Sequence, residues 1–384
     1  MDSIFRKYNS LVANSKLNDN AFSPMKKNIT IFCTLLVLLV IGYFFVENQK
    51  KSMATDNVKA NLAMNDLEGP TRLSLPMEYK GMNLVAPINT LNKSTLEDLL
   101  KNNVNAVSII PYAYVDMDAA TVNYNNKRQW WGERTEGITT SAKMAHSHHM
   151  TVMLKPHLWV NHNFYTGNLN FDTEEQWQRW ESQYEDYIMN FAKLAQQENI
   201  ELFCFATELG NSVAKRPQYW KQLIAKIKKI YKGKLTYAAN WDDYDKVPFW
   251  DELDYIGVDA YFPLSNEQNP SLKTVKNGWA KHLDKMRLVQ KKFGKKIMFS
   301  EYGYRNTDFA AEAPWTESKN DINNEAQAIA YEALYQTMTK EPWFVGGFAW
   351  KWYADDYHKK PKNKVDYTPQ DKPALAVIKK WYNL

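Results

Sequence analysis

The chain has 384 residues, 45% of them hydrophobic and 14% aromatic, and a formal net charge of +5 at pH 7. This length is ample for one large core, since an α/β barrel alone takes about 250 residues. The modest charge is spread along the chain, so we expect no nucleic-acid partner, and two cysteines do not make a disulfide framework or a cysteine metal site.

The first feature along the chain is an apolar run at residues 29–46, ITIFCTLLVLLVIGYFFV, which follows an N-terminus of residues 1–28. At about 1.5 Å per residue, this run is close to the minimum for spanning a bilayer. Lys26 and Lys27 precede it, which favours a cytoplasmic N-terminus. A cleaved signal peptide is the alternative, but it usually has a shorter apolar core and a small-residue cleavage site. We therefore predict a single-pass membrane anchor.

Residues 47–77 are polar and lack a clear period, which is typical of a spacer beside the membrane. The remaining residues, 78–384, are predicted to form a folded domain outside the cytoplasm, tied to the cell membrane by the N-terminal helix. Secretion after signal cleavage is the alternative localisation. The oligomeric state cannot be read from the sequence.

Eight short apolar runs follow, separated by segments of helical period such as 94–102, 174–198 and 326–340. The runs are at residues 81–86, 106–110, 151–155, 202–206, 234–239, 255–260, 296–300 and 344–350. Apolar strands that alternate with helices indicate a parallel sheet covered on both faces, and eight units indicate a closed (β/α)₈ TIM barrel. No glycine-rich fingerprint follows the first run, which counts against a doubly wound sheet.

Polar and aromatic residues stand at the ends of these runs. Two of them are carboxylates, Glu208 after the fourth run and Glu301 after the seventh. A carboxylate at the end of a buried strand is costly unless the charge is used in a cleft. In barrel enzymes the active site lies at these carboxyl ends, so we expect the two side chains to face one cleft.

Paired carboxyl groups are the equipment for cleaving a glycosidic bond. With retention of configuration they stand about 5–5.5 Å apart, one attacking the anomeric carbon and the other serving as acid and base. The alternative for either glutamate is an ion-paired carboxylate at the barrel rim. The 14 tryptophans and 23 tyrosines fit sugar stacking, with core packing as the alternative.

The sequence resembles glycoside hydrolase family 113, in the retaining clan A of barrel glycosidases, whose described members are β-mannanases. The resemblance covers residues 78–355. The matching segments are Lys80-Gly-Met-Asn83, Val152-Met-Leu-Lys-Pro-His157, Phe205-Ala-Thr-Glu-Leu209, Ile256-Gly-Val-Asp-Ala-Tyr261, Ser300-Glu-Tyr-Gly-Tyr304 and Pro342-Trp-Phe-Val-Gly-Gly-Phe-Ala-Trp350.

The resemblance implies that Glu208 is the acid/base and Glu301 the nucleophile. Tyr261 would then hydrogen-bond the nucleophile, and Trp350 would lie under the sugar. Thr207 stands where many clan members have Asn, so their contact to the sugar 2-hydroxyl is not carried over. The other expected substrate-binding residues are Asn83, Lys155, His157, Asn240, Trp241 and Trp315.

The sequence therefore predicts a retaining glycoside hydrolase that acts on β-linked, mannose-containing poly- or oligosaccharides. We expect no cofactor and no metal, because two carboxyl groups suffice for the whole cycle. The alternatives are a non-catalytic carbohydrate-binding protein on the same barrel and a transglycosylase. The exact sugar and linkage, and endo versus exo action, depend on loop geometry and stay open.

Overall fold

Eight parallel strands close into a barrel in the computed structural model, which describes residues 73–160, 164–316, 321–354 and 364–384. The barrel strands are β1 (Tyr79–Leu84), β2 (Ala106–Ile109), β5 (Thr151–Leu154), β7 (Leu202–Thr207), β8 (Lys234–Asn240), β9 (Tyr255–Asp259), β10 (Lys296–Tyr302) and β11 (Phe344–Trp352). Their order around the barrel is β1-β11-β10-β9-β8-β7-β5-β2. The predicted TIM barrel is confirmed, because each of the eight apolar runs forms one of these strands.

Helices cover the outside of the barrel. They are α1 (Lys93–Lys101), α2 (Thr135–Ser147), α3 (Glu174–Gln197), α4 (Gly210–Lys215), α5 (Pro217–Ile230), α6 (Leu272–Phe293), α7 (Asn324–Met338) and α8 (Pro373–Tyr382). Capping residues explain where two of these helices begin or end. Thr173 and Gln176 form a capping box at the start of α3, and Gly294 ends α6 in the left-handed conformation that glycine adopts without strain.

The alternation of strand and α-helix breaks once, between β8 and β9. Residues 241–254, all of them described, contain two 3₁₀ turns, Tyr244–Lys246 and Trp250–Glu252, in place of an α-helix. The segment is short and contains Pro248, which removes a backbone donor. The indole of Trp250 donates to the Tyr244 carbonyl at 2.7 Å, and both side chains are fully buried.

A second, three-stranded sheet extends two of the barrel strands. Its strands are β3 (Tyr112–Asp116), β4 (Thr121–Asn123) and β6 (His157–Trp159), in the order β4-β3-β6. β3 follows β2 through Ile110 and Pro111, and β6 follows β5 through Lys155 and Pro156, so the small sheet lies at the carboxyl ends of the barrel strands. The sequence analysis did not predict this sheet.

The predicted membrane anchor at residues 29–46 lies outside the described residues, as do residues 1–28 and most of the spacer at 47–77. These assignments and the localisation stay predictions. Within the part of the chain that the structure describes, no helix is long and apolar enough to cross a membrane.

Close packing of the barrel wall makes Gly257 on β9 a sensitive position. A Cβ atom at this residue would stand 2.2 Å from the Tyr237 carbonyl oxygen of β8. Since backbone cannot move out of the way as a flexible side chain can, we expect Gly257→Ala to lower the free energy of unfolding by about 3 kcal/mol. Chemical denaturation followed by circular dichroism measures this.

Gly294→Ala is the matched control, since its Cβ would meet nothing within 4 Å and only its φ of +64° opposes the change. We expect that variant to lose about 1 kcal/mol. Equal losses in both variants would contradict the packing argument.

Candidate active site

A cavity of 770 Å³ opens at the carboxyl ends of the barrel strands, where the sequence placed the site. Its wall combines carboxyl groups with aromatic rings. The lining residues are Tyr112, His157, Leu158, Phe164, Tyr165, Thr166, Thr207, Glu208, Asn240, Trp241, Asp242, Tyr261, Glu301, Arg305, Trp315, Trp350 and Tyr367. Both predicted catalytic glutamates are among them.

Glu208 stands immediately after β7 on an unusual backbone. Its φ of +51° is in the left-handed region, which costs a residue other than glycine about 1–3 kcal/mol. The conformation is held because the Glu208 amide donates to the Ala238 carbonyl of β8 at 2.8 Å. The next amide, of Leu209, donates to the Tyr237 hydroxyl at 2.9 Å. A glutamate kept on strained backbone at a cavity wall is a feature of functional positions.

The surroundings of Glu208 favour the protonated carboxyl. Burial raises its pKa well above the usual range, and the negative charges of Asp259 and Glu301 raise it further. Lys155 opposes the shift but does not cancel it. Within the described residues no hydrogen bond to the Glu208 carboxyl is found. A carboxyl group in this environment keeps its proton at a pH where an exposed glutamate has lost it.

Glu301, within β10, has the opposite environment. The Lys155 ammonium donates to its Oε1 at 2.5 Å, and the Tyr261 hydroxyl donates to its Oε2 at 2.7 Å. His157 Nε2 is 3.4 Å from Oε1 but makes no hydrogen bond. Burial, and then Lys155, lower the pKa of His157 well below its usual range, so this imidazole is neutral and the contact is not an ion pair. Both oxygens of Glu301 thus accept donors, as an ionised carboxylate does.

A third carboxyl group, Asp259 on β9, lies beneath these two. It is fully buried, accepts a hydrogen bond from Ser300 at 2.7 Å and lies 3.2 Å from the Lys155 ammonium. Burial, followed by the charge of Glu301, raises its pKa to about 7. The sequence analysis assigned Asp259 no role. The sequence nevertheless marked this residue, because Asp259 is a carboxylate at the end of the sixth apolar run. The same pattern identified Glu208 and Glu301.

Lys155 and Asn83 were expected to line the cleft, and the structure corrects this. Both are fully buried, and neither lines the cavity. Burial alone would lower the pKa of Lys155, but the carboxylates of Asp259 and Glu301 outweigh it and raise the pKa. Asn83 Nδ2 donates to the carbonyls of Ser300 at 3.2 Å and Phe348 at 2.9 Å. Below the cavity, Asn83 therefore links neighbouring strands, and Lys155 compensates the charges of Asp259 and Glu301.

The remaining predicted residues all line the cavity. Trp350 stacks on His157 with ring centroids 6.3 Å apart and planes 10° from parallel. On the other side Trp241 stacks on Trp315, with centroids 5.1 Å apart and an angle of 21°. Asn240 donates to Asp242 at 2.9 Å. The cavity therefore has flat aromatic surfaces on two sides, as a sugar-binding cleft needs.

Sequence reasoning missed several lining residues, including Tyr165, Arg305 and Tyr367. The Arg305 guanidinium lies 4.3 Å from the ring centroid of Tyr367, and that ring packs on Tyr261 at 5.9 Å. Tyr367 belongs to the segment before α8, far along the chain from the strand ends, so no local pattern marks it. Tyr112, which stands two residues after the second apolar run, had the same signal as the residues that were chosen.

Comparisons with known proteins add to this geometry. Residues 89–372 match the model of Glycoside Hydrolase Family 113. Among curated proteins no match was found.

Solved structures share the fold. A GH113 β-mannanase, AaManA from Alicyclobacillus acidocaldarius, in complex with ManMIm is 22% identical with a TM-score of 0.71, covering 82% of this chain and 99% of the other. A GH113 β-1,4-mannanase complex is 24% identical with a TM-score of 0.70, covering 80% and 99%. A β-glucuronidase from Faecalibacterium prausnitzii is 15% identical with a TM-score of 0.52, covering 83% and 51%. At these identities the likeness is one of fold.

Since the surroundings of the two glutamates differ, we expect replacing each by glutamine to change the free energy of unfolding in opposite directions. Because the raised pKa of Glu208 makes the folded protein bind its proton more tightly than the unfolded chain, the contribution of this group to stability falls as the pH rises above about 4.5. Glu208→Gln removes that loss, so we expect its free energy of unfolding to exceed wild type by about 0.5–2 kcal/mol at pH 7 and to match it below pH 4. Denaturation across pH measures this.

Glu301→Gln should instead destabilise by about 1–3 kcal/mol, because Lys155 loses one of its two buried counter-charges. Glu267→Gln, at an exposed position, is the matched control and should unfold like wild type. The same sign of change in both active-site variants would contradict the assignment of their environments.

Proposed function

Because the chain belongs to glycoside hydrolase family 113, we propose that this glycoside hydrolase cleaves β-linked, mannose-containing glycans with retention of configuration at the anomeric carbon. The β-mannanase structures with the same fold support the substrate class. The aromatic surfaces of Trp350 and of the Trp241–Trp315 pair support binding of sugar rings in the cavity.

The observation that best supports the mechanism is that two carboxyl groups in one cavity have different surroundings. Glu301 accepts donors on both oxygens, whereas burial and neighbouring negative charge raise the pKa of Glu208. A carboxyl group that accepts donors on both oxygens, beside one with a raised pKa, provides one nucleophile and one acid.

In the first step, Glu301 attacks the anomeric carbon and forms an ester to the sugar. The bond from that carbon to the leaving oxygen breaks, and Glu208 gives its proton to that oxygen. The carboxylate charge of Glu301 is lost when the ester forms. Lys155 then keeps Asp259, at 3.2 Å, as its counter-charge, so the ammonium is not left unpaired.

In the second step, Glu208, now ionised, removes a proton from water as the water attacks the same carbon from the opposite face. The ester bond breaks, and Glu301 regains its charge beside Lys155 and Tyr261. Two inversions give net retention. Tyr261 donates to Glu301 Oε2, leaving Oε1 close to Lys155, so the contacts fix both oxygens before the reaction begins.

The test is turnover of a β-glycan panel that includes β-1,4-mannan, with proton NMR of the first-formed anomer. We expect reducing ends to appear in the β configuration. Glu208→Gln should lower kcat by about 10²–10⁴-fold, and Glu301→Gln at least as much. An aryl glycoside with a good leaving group separates the acid role from the nucleophile role. Because such a leaving group departs without being protonated, this substrate should restore bond cleavage in Glu208→Gln but not in Glu301→Gln.

Glu267→Gln serves again as the control and should match wild type. Initial α product would refute retention, and glycan binding without released reducing ends would refute hydrolysis. Product analysis at high acceptor concentration distinguishes transfer to water from transfer to another sugar.

The pH profile gives a second check on Glu208. The proposed acid must be protonated, so activity falls as the pH rises through its raised pKa. Asp259→Asn removes a negative charge that raises this pKa, so we expect the alkaline limb of kcat/KM to move to lower pH by about one unit. Asp251→Asn, on the turn before β9, is the control. An unmoved limb in a folded Asp259→Asn protein would contradict the assignment.

A further inference from the structure

The small sheet continues one wall of the cavity outward. On the parallel pair of β3 and β6, Tyr112 lies opposite His157, and Tyr114 lies opposite Trp159. Tyr112 and His157 line the cavity. Since residues two apart on a strand face the same side, Tyr114 and Trp159 stand on the same face as the lining pair, one step further out.

Burial along the strands confirms which face is open. Ala113, Val115 and Leu158, which alternate with the aromatic residues, are buried, whereas Tyr114 is 40% exposed and Trp159 is 38% exposed. The Trp159 ring contacts Tyr112 edge-on, with centroids 6.4 Å apart. A partly exposed pair of aromatic side chains therefore stands on the sheet beside the cavity-lining pair.

The position of this surface is fixed by hydrogen bonds behind it. Gln129 Nε2 donates to the Tyr112 carbonyl at 2.8 Å and to Glu133 Oε2 at 3.2 Å. The Tyr114 hydroxyl reaches the same Glu133 oxygen at 3.5 Å. Glu133 is buried, and burial raises its pKa. The Tyr114 side chain and the β3 backbone at Tyr112 are thus attached to a buried polar cluster, so this strand would gain little order on binding.

The chemistry of the open face matches a sugar chain. Flat rings pack against the apolar C–H faces of pyranoses, and Asn123, which is exposed and lies opposite Tyr114 on β4, offers an amide for hydroxyl groups. Two residues of strand advance about 6.6 Å, a step comparable with one sugar unit of a β-linked chain.

We propose that the open face of the β4-β3-β6 sheet is a distal sugar-binding site, which holds units of the same glycan whose scissile bond lies in the cavity. The proposal rests on the proposed function and adds to it. A glycan that continues past the cavity onto an open sheet must be able to enter sideways, so the enzyme cuts within chains and prefers long substrates.

The test compares chain lengths. For wild type, Trp159→Ala and Tyr114→Ala, kcat/KM is measured on β-1,4-linked mannose oligomers of two to six units. We expect the ratio of kcat/KM for the hexamer to that for the shortest cleaved oligomer to fall about tenfold in each alanine variant, through KM. Trp159→Phe and Tyr114→Phe keep a flat ring and should retain most of the ratio.

Leu288→Ala, at a 70% exposed apolar position on α6, is the control and should keep the wild-type ratio. An equal loss of kcat/KM for short and long oligomers would mean that the two residues only maintain the shape of the cavity. A ratio equal to that of wild type would mean that no sugar unit binds on the sheet. Either result overturns the proposal.

Binding without turnover keeps the proposal separate from the proposed function. Calorimetric titration of Glu301→Gln with the hexamer, with and without Trp159→Ala, should show about tenfold weaker binding in the double variant. If wild type cleaves no β-glycan, the proposed function fails while this titration still decides the distal site. Equal affinity in both proteins would refute it.

Discussion

One buried ammonium group, that of Lys155, determines how the charges of the site are arranged. Three carboxyl groups, from Glu208, Asp259 and Glu301, stand at the carboxyl ends of β7, β9 and β10. A low-dielectric interior does not tolerate three ionised carboxylates. Lys155 contacts two of them, at 2.5 and 3.2 Å. Glu208 has no such contact, and burial raises its pKa well above the usual range, while the pKa of Asp259, which has the contact, is raised to about 7. Lys155 therefore distinguishes the two glutamates, since its ammonium pairs with Glu301 and not with Glu208.

The barrel makes this arrangement possible because each group comes from a different strand. Asp259 and Glu301 are on adjacent strands, β9 and β10, and lie opposite each other in the strand register. Lys155 follows β5 on the other side of the barrel and reaches across it. Buried hydrogen bonds from Ser300 and Tyr261 then fix the carboxyl oxygens. A site assembled from strand ends needs little rearrangement before it acts.

Much of this was available from the sequence. The eight apolar runs predicted the barrel, since strands buried on both faces produce continuous apolar segments, and their ends predicted Glu208 and Glu301. The sequence could not say that Lys155 and Asn83 would be buried rather than exposed to substrate, because position in a strand fixes the face on which a side chain lies but not what packs over it. It also missed Tyr367 and the small sheet, which depend on contacts between distant segments.

The connections into the small sheet bear on the proposed distal sugar-binding site. Pro111 stands directly before β3, and Pro156 stands directly before β6. Because proline has no backbone N–H, one hydrogen-bonded ladder ends there and the next can begin. Strand faces alternate residue by residue, so one residue inserted in either connection would turn Tyr114 or Trp159 towards the core and bring a buried neighbour to the surface. If the sheet holds distal sugar units as proposed, a single-residue insertion far from both glutamates would change the preference for long or short glycans.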